Sequence, residues 1–310
     1  MAPSFVRNSS PQNDELDDHS TQQQEQGRMD AEAATAGEAR GLLEEGEPDE
    51  RDHQDSQTHV ADEADIQNAR LQFLDLLGRL QHWGCFASHG LAVMQAVLVV
   101  WWIHLLGGLS WQRGNSKLVF NWHPLLMILA FCFMTVATLS FRAPYRSSNR
   151  WTVKLVHGSA WLVAAIFAAV ALVAVFRSHN DPISGFIANL YSLHSWIGMG
   201  VIGLYILQFF AGARFFAFGY GTPAGKAKMV MIHSFVGPFI YIATTATIML
   251  GIQEKEGFIK CGYSVKKADL LPLEHLFEIP AACLVSHSLG ITVLATALCT
   301  MFAMHDFRRQ

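Results

Sequence analysis

Six stretches of apolar sequence, each about 20 residues long, constrain this chain more than any other feature. A helix rises about 1.5 Å per residue, so about 20 residues cross a hydrocarbon layer about 30 Å thick. The stretches cover about 84–107, 122–141, 153–176, 191–213, 229–252 and 281–304, and each gap between them contains charge, Gly, Pro or Asn. Lipid offers backbone groups no hydrogen-bond partner, so such spans must be helical. The expected fold is an all-α membrane protein of six transmembrane helices, with spans two to five forming a four-helix core. Mean hydropathy is +0.23 and only 15% of residues are charged, which is unusual for a soluble domain.

Charge divides the chain. Of 26 acidic residues, 19 lie in residues 1–80, with 6 of the 22 basic ones. That region carries −13 and the rest +9. Residues 1–60 are rich in Gln, Asp, Glu, Ser and Gly, and composition alone predicts disorder there. They contain no apolar segment behind a basic start, so no signal peptide is expected. From Ala61 to Trp83, apolar residues recur at helical spacing, which fits either an interfacial helix or a helical run-in to the first span. The domain division is therefore 1–81, an acidic cytosolic tail, and 82–310, the transmembrane domain.

Basic residues in short loops set orientation. Arg142, Arg146, Arg150 and Lys154 follow span two, Arg214, Lys226 and Lys228 follow span four, and Arg308 and Arg309 follow span six. The opposite loops have Arg113, Lys117 and Arg177, and a long last loop with Lys255, Lys260, Lys266 and Lys267. This bias puts both termini in the cytosol. It leaves open whether the membrane is plasma, endosomal, vacuolar or vesicular. Five cysteines show no metal-binding spacing. Buried thiols are one reading, and pairing of Cys261 with Cys283 is another.

Four histidines stand near the starts of four consecutive spans: His123, His157, His194 and His233. Because alternate spans run in opposite directions, His123 and His194 fall near the outer face, and His157 and His233 near the cytosolic face. Two imidazoles at one depth on neighbouring helices suit a haem plane between them, with both axial positions filled and no open site for oxygen. The separations, 71 residues from His123 to His194 and 76 from His157 to His233, are compatible with an internal duplication. A second arrangement, two ligands on one helix, has His179 and His194 as its nearest candidates. It fails because His179 lies beside Asn180, Asp181 and Pro182 in a polar loop. His104 and His287 are placed to face the bundle, and His82, His89, His275 and His305 read as interfacial. Intramembrane histidines also relay protons or join helices, so a non-haem transporter or scaffold is the alternative.

The segments FNWHP (120–124), KLVHG (154–158), YSLHSW (191–196), MIHSFVG (231–237) and GIQEK (251–255) resemble the cytochrome b561 family over about residues 85–304. The resemblance implies an ascorbate-dependent transmembrane oxidoreductase with two b haems, one between spans two and four and one between three and five. Ascorbate is the implied cytosolic donor, and a ferric chelate or monodehydroascorbate the implied acceptor. An anionic donor calls for basic residues near the cytosolic haem, and Arg142, Arg150, Lys154 and Lys226 are the candidates. Asn189, Tyr191, Ser192 and Glu254 lie in or beside the matched segments near the outer haem, and His179 is a candidate for acceptor or metal. Expected partners are membrane lipid, ascorbate and the acceptor. A homodimer is compatible with this reading, and nucleic acid is not expected.

Overall fold

The structure is a computed structural model that describes residues 50–142, 149–261 and 279–305, with side chains from Asp62 onward. Arg146, Lys266, Lys267, His275, Arg308 and Arg309 lie outside the described residues, as do residues 1–49. Helix α1 runs Glu50–Leu105. A short helix α2 (Ser116–Phe120) leads into α3 (Trp122–Leu139). Then come α4 (Arg150–His179), a two-residue hairpin of β1 (Asn180–Asp181) and β2 (Gly185–Phe186), and α5 (Leu193–Gly212), which ends in a π turn over Ala213–Ala217. Helices α6 (Pro223–Phe258) and α7 (Ala281–Met304) complete the chain. Six of these segments are long and apolar enough to cross a membrane. The all-α membrane fold is as expected.

By internal contacts the chain divides into two units, Met1–Leu71 and Gln72–Gln310. In the first, the described side chains from Asp62 to Leu71 are all exposed. Helix α1 begins at Glu50, so residues 50–60 are helical where composition alone predicted disorder. It continues without interruption through residues 61–83, so that stretch is helical, as both readings of it expect.

Local sequence explains where the spans start. The side chain of Asn149 accepts from Trp151 N at the head of α4. Ser192 and Ser195 form a reciprocal capping box at the head of α5, and Thr222 accepts from Gly225 N with Pro223 in the first turn of α6. Each cap satisfies backbone donors that a helix start leaves without partners. The last carbonyls of α7 are met from a distance: Gln81 Nε2 donates to Phe302 O and His305 O.

Between spans, packing is apolar with a polar seam. Phe131 stacks on Tyr241 with ring centres 4.9 Å apart. The Tyr241 hydroxyl meets Thr135 Oγ1 at 2.7 Å and donates to Thr300 Oγ1, which donates to Ser88 Oγ at 3.1 Å. One chain of hydroxyls thus ties α3, α6, α7 and α1, and all four residues are buried. Gln95 on α1 adds bonds to Thr292 O and Thr296 Oγ1 on α7.

At the end of the bundle that holds His123, Asp181 joins two loops. Its carboxylate accepts from Gly114 N and Ser184 Oγ, both at 2.7 Å, and from Ile183 N at 3.2 Å. The Ser184 hydroxyl, with the backbone N–H donors, holds this carboxyl below the usual range. Cys261 and Cys283 form a disulfide that links the end of α6 to the start of α7, so the pairing left open by the sequence is the one observed.

Interhelical hydrogen bonds inside a membrane are worth about 0.6 kcal/mol on average and at most about 1.7. Tyr241→Phe should therefore lower stability by about 1–2 kcal/mol, measured by denaturation of the detergent-solubilised chain. An unchanged midpoint would mean that the hydroxyl seam contributes nothing.

Candidate functional site

The histidines meet in two pairs. Ring centres of His123 (α3) and His194 (α5) lie 6.1 Å apart, as do those of His157 (α4) and His233 (α6). A metal–nitrogen bond is about 2 Å, and a ring adds about 1 Å from nitrogen to centre, so a shared metal ion needs about 6 Å. Both pairs have that spacing.

Hydrogen bonds determine what each ring presents. Nδ1 of His123 lies 3.2 Å from Ala171 O, that of His157 2.8 Å from Ala137 O, and that of His194 2.9 Å from Thr247 O. A carbonyl only accepts, so each Nδ1 is the protonated nitrogen. Nε2 is therefore the nitrogen that each of these rings can offer to a metal. Metal-ligating histidines are oriented in this way. The carbonyls come from the adjoining helix (α4 for His123, α3 for His157, α6 for His194), so each ring is aimed by a neighbour. His233 departs from the pattern: its Nδ1 is buried and unpartnered.

Two glycines make room for the rings. A Cβ at Gly251 would stand 2.7 Å from His194 Cε1, and one at Gly212 3.1 Å from His233 Cε1. At each pair, then, one imidazole presses its Cε1 edge against a glycine of a neighbouring helix, most tightly at Gly251.

The His123–His194 pair opens into an apolar cavity. Its deeper wall includes Met134, Leu172, Ile202 and Tyr205, and its mouth is polar. Asn189, Tyr191, Ser192, His179 and Glu254 all line it. Tyr191 OH donates to Glu254 Oε1 at 2.7 Å and Ser192 Oγ to Glu254 Oε2 at 2.9 Å, while Asn189 Nδ2 reaches Asn180 Oδ1 at 3.4 Å. Burial, with the Glu254 carboxylate beside it, pushes the Tyr191 hydroxyl up to about 12. Leu190 stands at φ 54°, a left-handed conformation that costs a residue with a Cβ, and this turn leaves both its neighbours lining the cavity.

Three expectations need correction here. His179 is the last residue of α4 and not a loop residue. Its ring is parallel to Phe120, with centres 6.2 Å apart, and lies 6.4 Å from Tyr191; its Nδ1 is buried without a partner. Lys255, counted with the last loop, is buried within α6, because that helix runs on to Phe258. His104 and His287 do not face the bundle interior: both are exposed, and His287 Nε2 lies 3.4 Å from Glu256 Oε1.

At the other end, aromatic rings enclose the second pair. Phe141 lies 5.0 Å from His157, Phe216 5.3 Å from His233 and Trp161 6.2 Å from His157. Trp161 in turn packs 5.2 Å from Tyr205, which lines the outer cavity. The basic candidates stand on the segments that lead into and out of this end. Arg142 follows Phe141. Arg150 and Lys154 are exposed on the first two turns of α4, with His157 one turn beyond Lys154. Lys226, half-buried, stands two turns before His233 on α6.

Residues 122–259 match the model of the eukaryotic cytochrome b561 family. A probable ascorbate-specific transmembrane electron transporter 1 of Oryza sativa subsp. japonica is 38% identical over 176 residues, covering 56% of this chain and 74% of that protein. The chain belongs to the eukaryotic cytochrome b561 family. Transmembrane ascorbate ferrireductase 1 of Arabidopsis thaliana is 37% identical over 180 residues, 57% of this chain and 73% of that protein. A plasma membrane ascorbate-dependent reductase, CYBRD1 of Xenopus laevis, is 38% identical over 159 residues, covering 51% and 54%.

Haem b is the cofactor of this family, and the residues present fit it: paired imidazoles at metal-bridging distance, and an apolar cavity beside one pair. Gly251, Gly212 and Lys255 were missed by sequence reasoning. The glycines carry no local signal: Gly251 lies within α6 and Gly212 closes α5 at the π turn, both in helical conformation. Lys255 had one, a lysine within the GIQEK segment.

Overpacking costs about 1–3 kcal/mol where neighbours cannot yield. Gly251→Ala should displace the His194 ring and lower the haem retained per chain. Gly257→Ala, whose Cβ meets nothing within 4 Å, should leave haem content unchanged. Equal haem in both variants would mean that the ring does not lie against Gly251.

Proposed function

We propose that the chain carries electrons from cytosolic ascorbate across the membrane to an acceptor on the opposite side, using two b haems. It is an integral, multi-pass transmembrane oxidoreductase. His123 and His194 hold the outer haem and His157 and His233 the cytosolic one. The observation that carries this reading is the set of Nδ1–carbonyl bonds, which leave Nε2 of His123, His157 and His194 free for a metal. Haem with two imidazole ligands supplies one-electron chemistry with no open coordination site.

Relatives named for ascorbate dependence support the donor. Ascorbate gives up one electron and one proton to become monodehydroascorbate. Arg142, Arg150, Lys154 and Lys226 hold this anion at the His157–His233 end. The first turns of α4 and α6, with their positive helix ends, add to the field. Lys154 is the strongest of these candidates, one helical turn from His157.

At the other face, the acceptor is a ferric chelate, which takes one electron, or monodehydroascorbate, which takes one electron and one proton. His179, Asn189, Tyr191 and Ser192 face it, with Glu254 held by two hydroxyls. The disulfide between Cys261 and Cys283 lies at this same end. Disulfides persist in oxidising compartments, which supports placing this end outside and both termini in the cytosol. Residues 1–81 form a cytosolic tail and 82–310 the electron-carrying domain.

The test is a reduced-minus-oxidised spectrum of the purified chain, with haem counted and ascorbate as reductant. Two b haems per chain, reduced by ascorbate, are expected. A folded chain supplied with haem yet holding none would favour the histidine-linked transporter or scaffold instead. His157→Ala should halve the haem, and full haem in that variant would overturn the ligand assignment. Lys154→Glu should leave both haems in place. It should raise the ascorbate concentration for half-reduction severalfold, since an exposed ion contact is worth up to about 1 kcal/mol.

A further inference from the structure

We infer that Lys255 is the counter-charge of the outer haem: its ammonium pairs with a haem propionate and raises the potential of the haem held by His123 and His194. This rests on the haem reading above.

Lys255 is only 9% exposed and lines the same cavity as His123 and His194. Among the described residues it is the only lysine or arginine that does so. Its Nζ lies 3.2 Å from the neutral amide oxygen Asn121 Oδ1 and 4.6 Å from the centre of the Phe120 ring. Among the described residues no carboxylate reaches it. The one nearest in sequence, Glu254, is held by Tyr191 and Ser192 instead.

A buried ammonium is costly unless an anion faces it. Among the described residues one amide oxygen is its sole hydrogen-bond acceptor, which leaves two of its three N–H donors with none. The placement is nonetheless built, not incidental. Asn121 is itself 1% exposed, and its Nδ2 donates to Gly108 O at 2.9 Å and to Leu106 O at 3.4 Å. That anchors its oxygen toward the lysine. Asn121 is two residues from His123 and Lys255 four from Gly251, so one structural unit sets both the ligand ring and the charge.

Haem carries two propionate carboxylates, which are the anions this cavity would receive. A cation fixed near them favours the reduced iron, because reduction adds one negative charge to the site. The equivalent position at the cytosolic end holds no buried lysine among the described residues. The two haems therefore differ in electrostatic setting: the outer one faces a buried ammonium, the cytosolic one basic residues that are exposed or half-buried.

The experiment is a spectroscopic redox titration of the full chain in detergent, with haem counted in every sample. Wild type is compared with Lys255→Met and Lys255→Arg, each also in a His157→Ala background that leaves the outer haem alone. Lys255→Met should weaken reduction of the outer haem about tenfold, a fall of about 59 mV for a one-electron couple. The cytosolic haem should not move, and Lys255→Arg should stay near wild type. Unchanged potentials with both haems retained in Lys255→Met would overturn the assignment. If Lys255→Met loses the outer haem, Lys255→Arg decides: haem retained at the wild-type potential supports a charge role, and haem lost there too refutes it. The underlying haem reading fails separately, and visibly, if wild type itself holds no haem.

Discussion

A hydrogen bond from a histidine Nδ1 to a carbonyl on the next helix underlies this site. In lipid an imidazole has no water to turn to, so its N–H takes whichever carbonyl the packing presents. At His123, His157 and His194 that carbonyl belongs to a neighbouring span. The bond decides the tautomer, aims the ring and leaves the second nitrogen free. Helix packing and the nitrogen that each ring offers therefore depend on one contact, and a shift of α3 against α4 would disturb both ends at once.

The polar groups between the spans follow the same constraint. Hydroxyls of Ser88, Thr135, Tyr241 and Thr300 satisfy one another across four helices. Asp181, at the outer surface, accepts three donors and ties two loops. Lys255 does not follow it: among the described residues, its buried charge meets only an amide oxygen and a ring. A haem propionate in that cavity is the counter-ion that we propose for it.

Much of the arrangement was legible in the sequence. Span length and alternating direction sufficed to sort four histidines by depth, because a helix must cross the bilayer once per span. The FNWHP and YSLHSW segments pointed to the family. Other features were not legible. His179 read as a loop residue because Asn180, Asp181 and Pro182 follow it, yet α4 persists one residue past Ser178 with Asn180 as its cap. Lys255 read as loop because hydropathy falls before α6 ends. Gly212 and Gly251 look like any helical glycine until the ring each one admits is seen.

The sequence by itself determined that the chain crosses a membrane six times, that it groups His123 with His194 and His157 with His233, and that basic residues concentrate at the second pair. These follow from hydropathy, direction and charge, which are properties of segments. Tertiary structure decided which nitrogen each histidine offers, which glycines make room and which of the outer-end lysines is buried beside the cavity. It also decided that Cys261 meets Cys283. Those depend on distances of a few ångströms between helices far apart in the chain, and no local pattern encodes them.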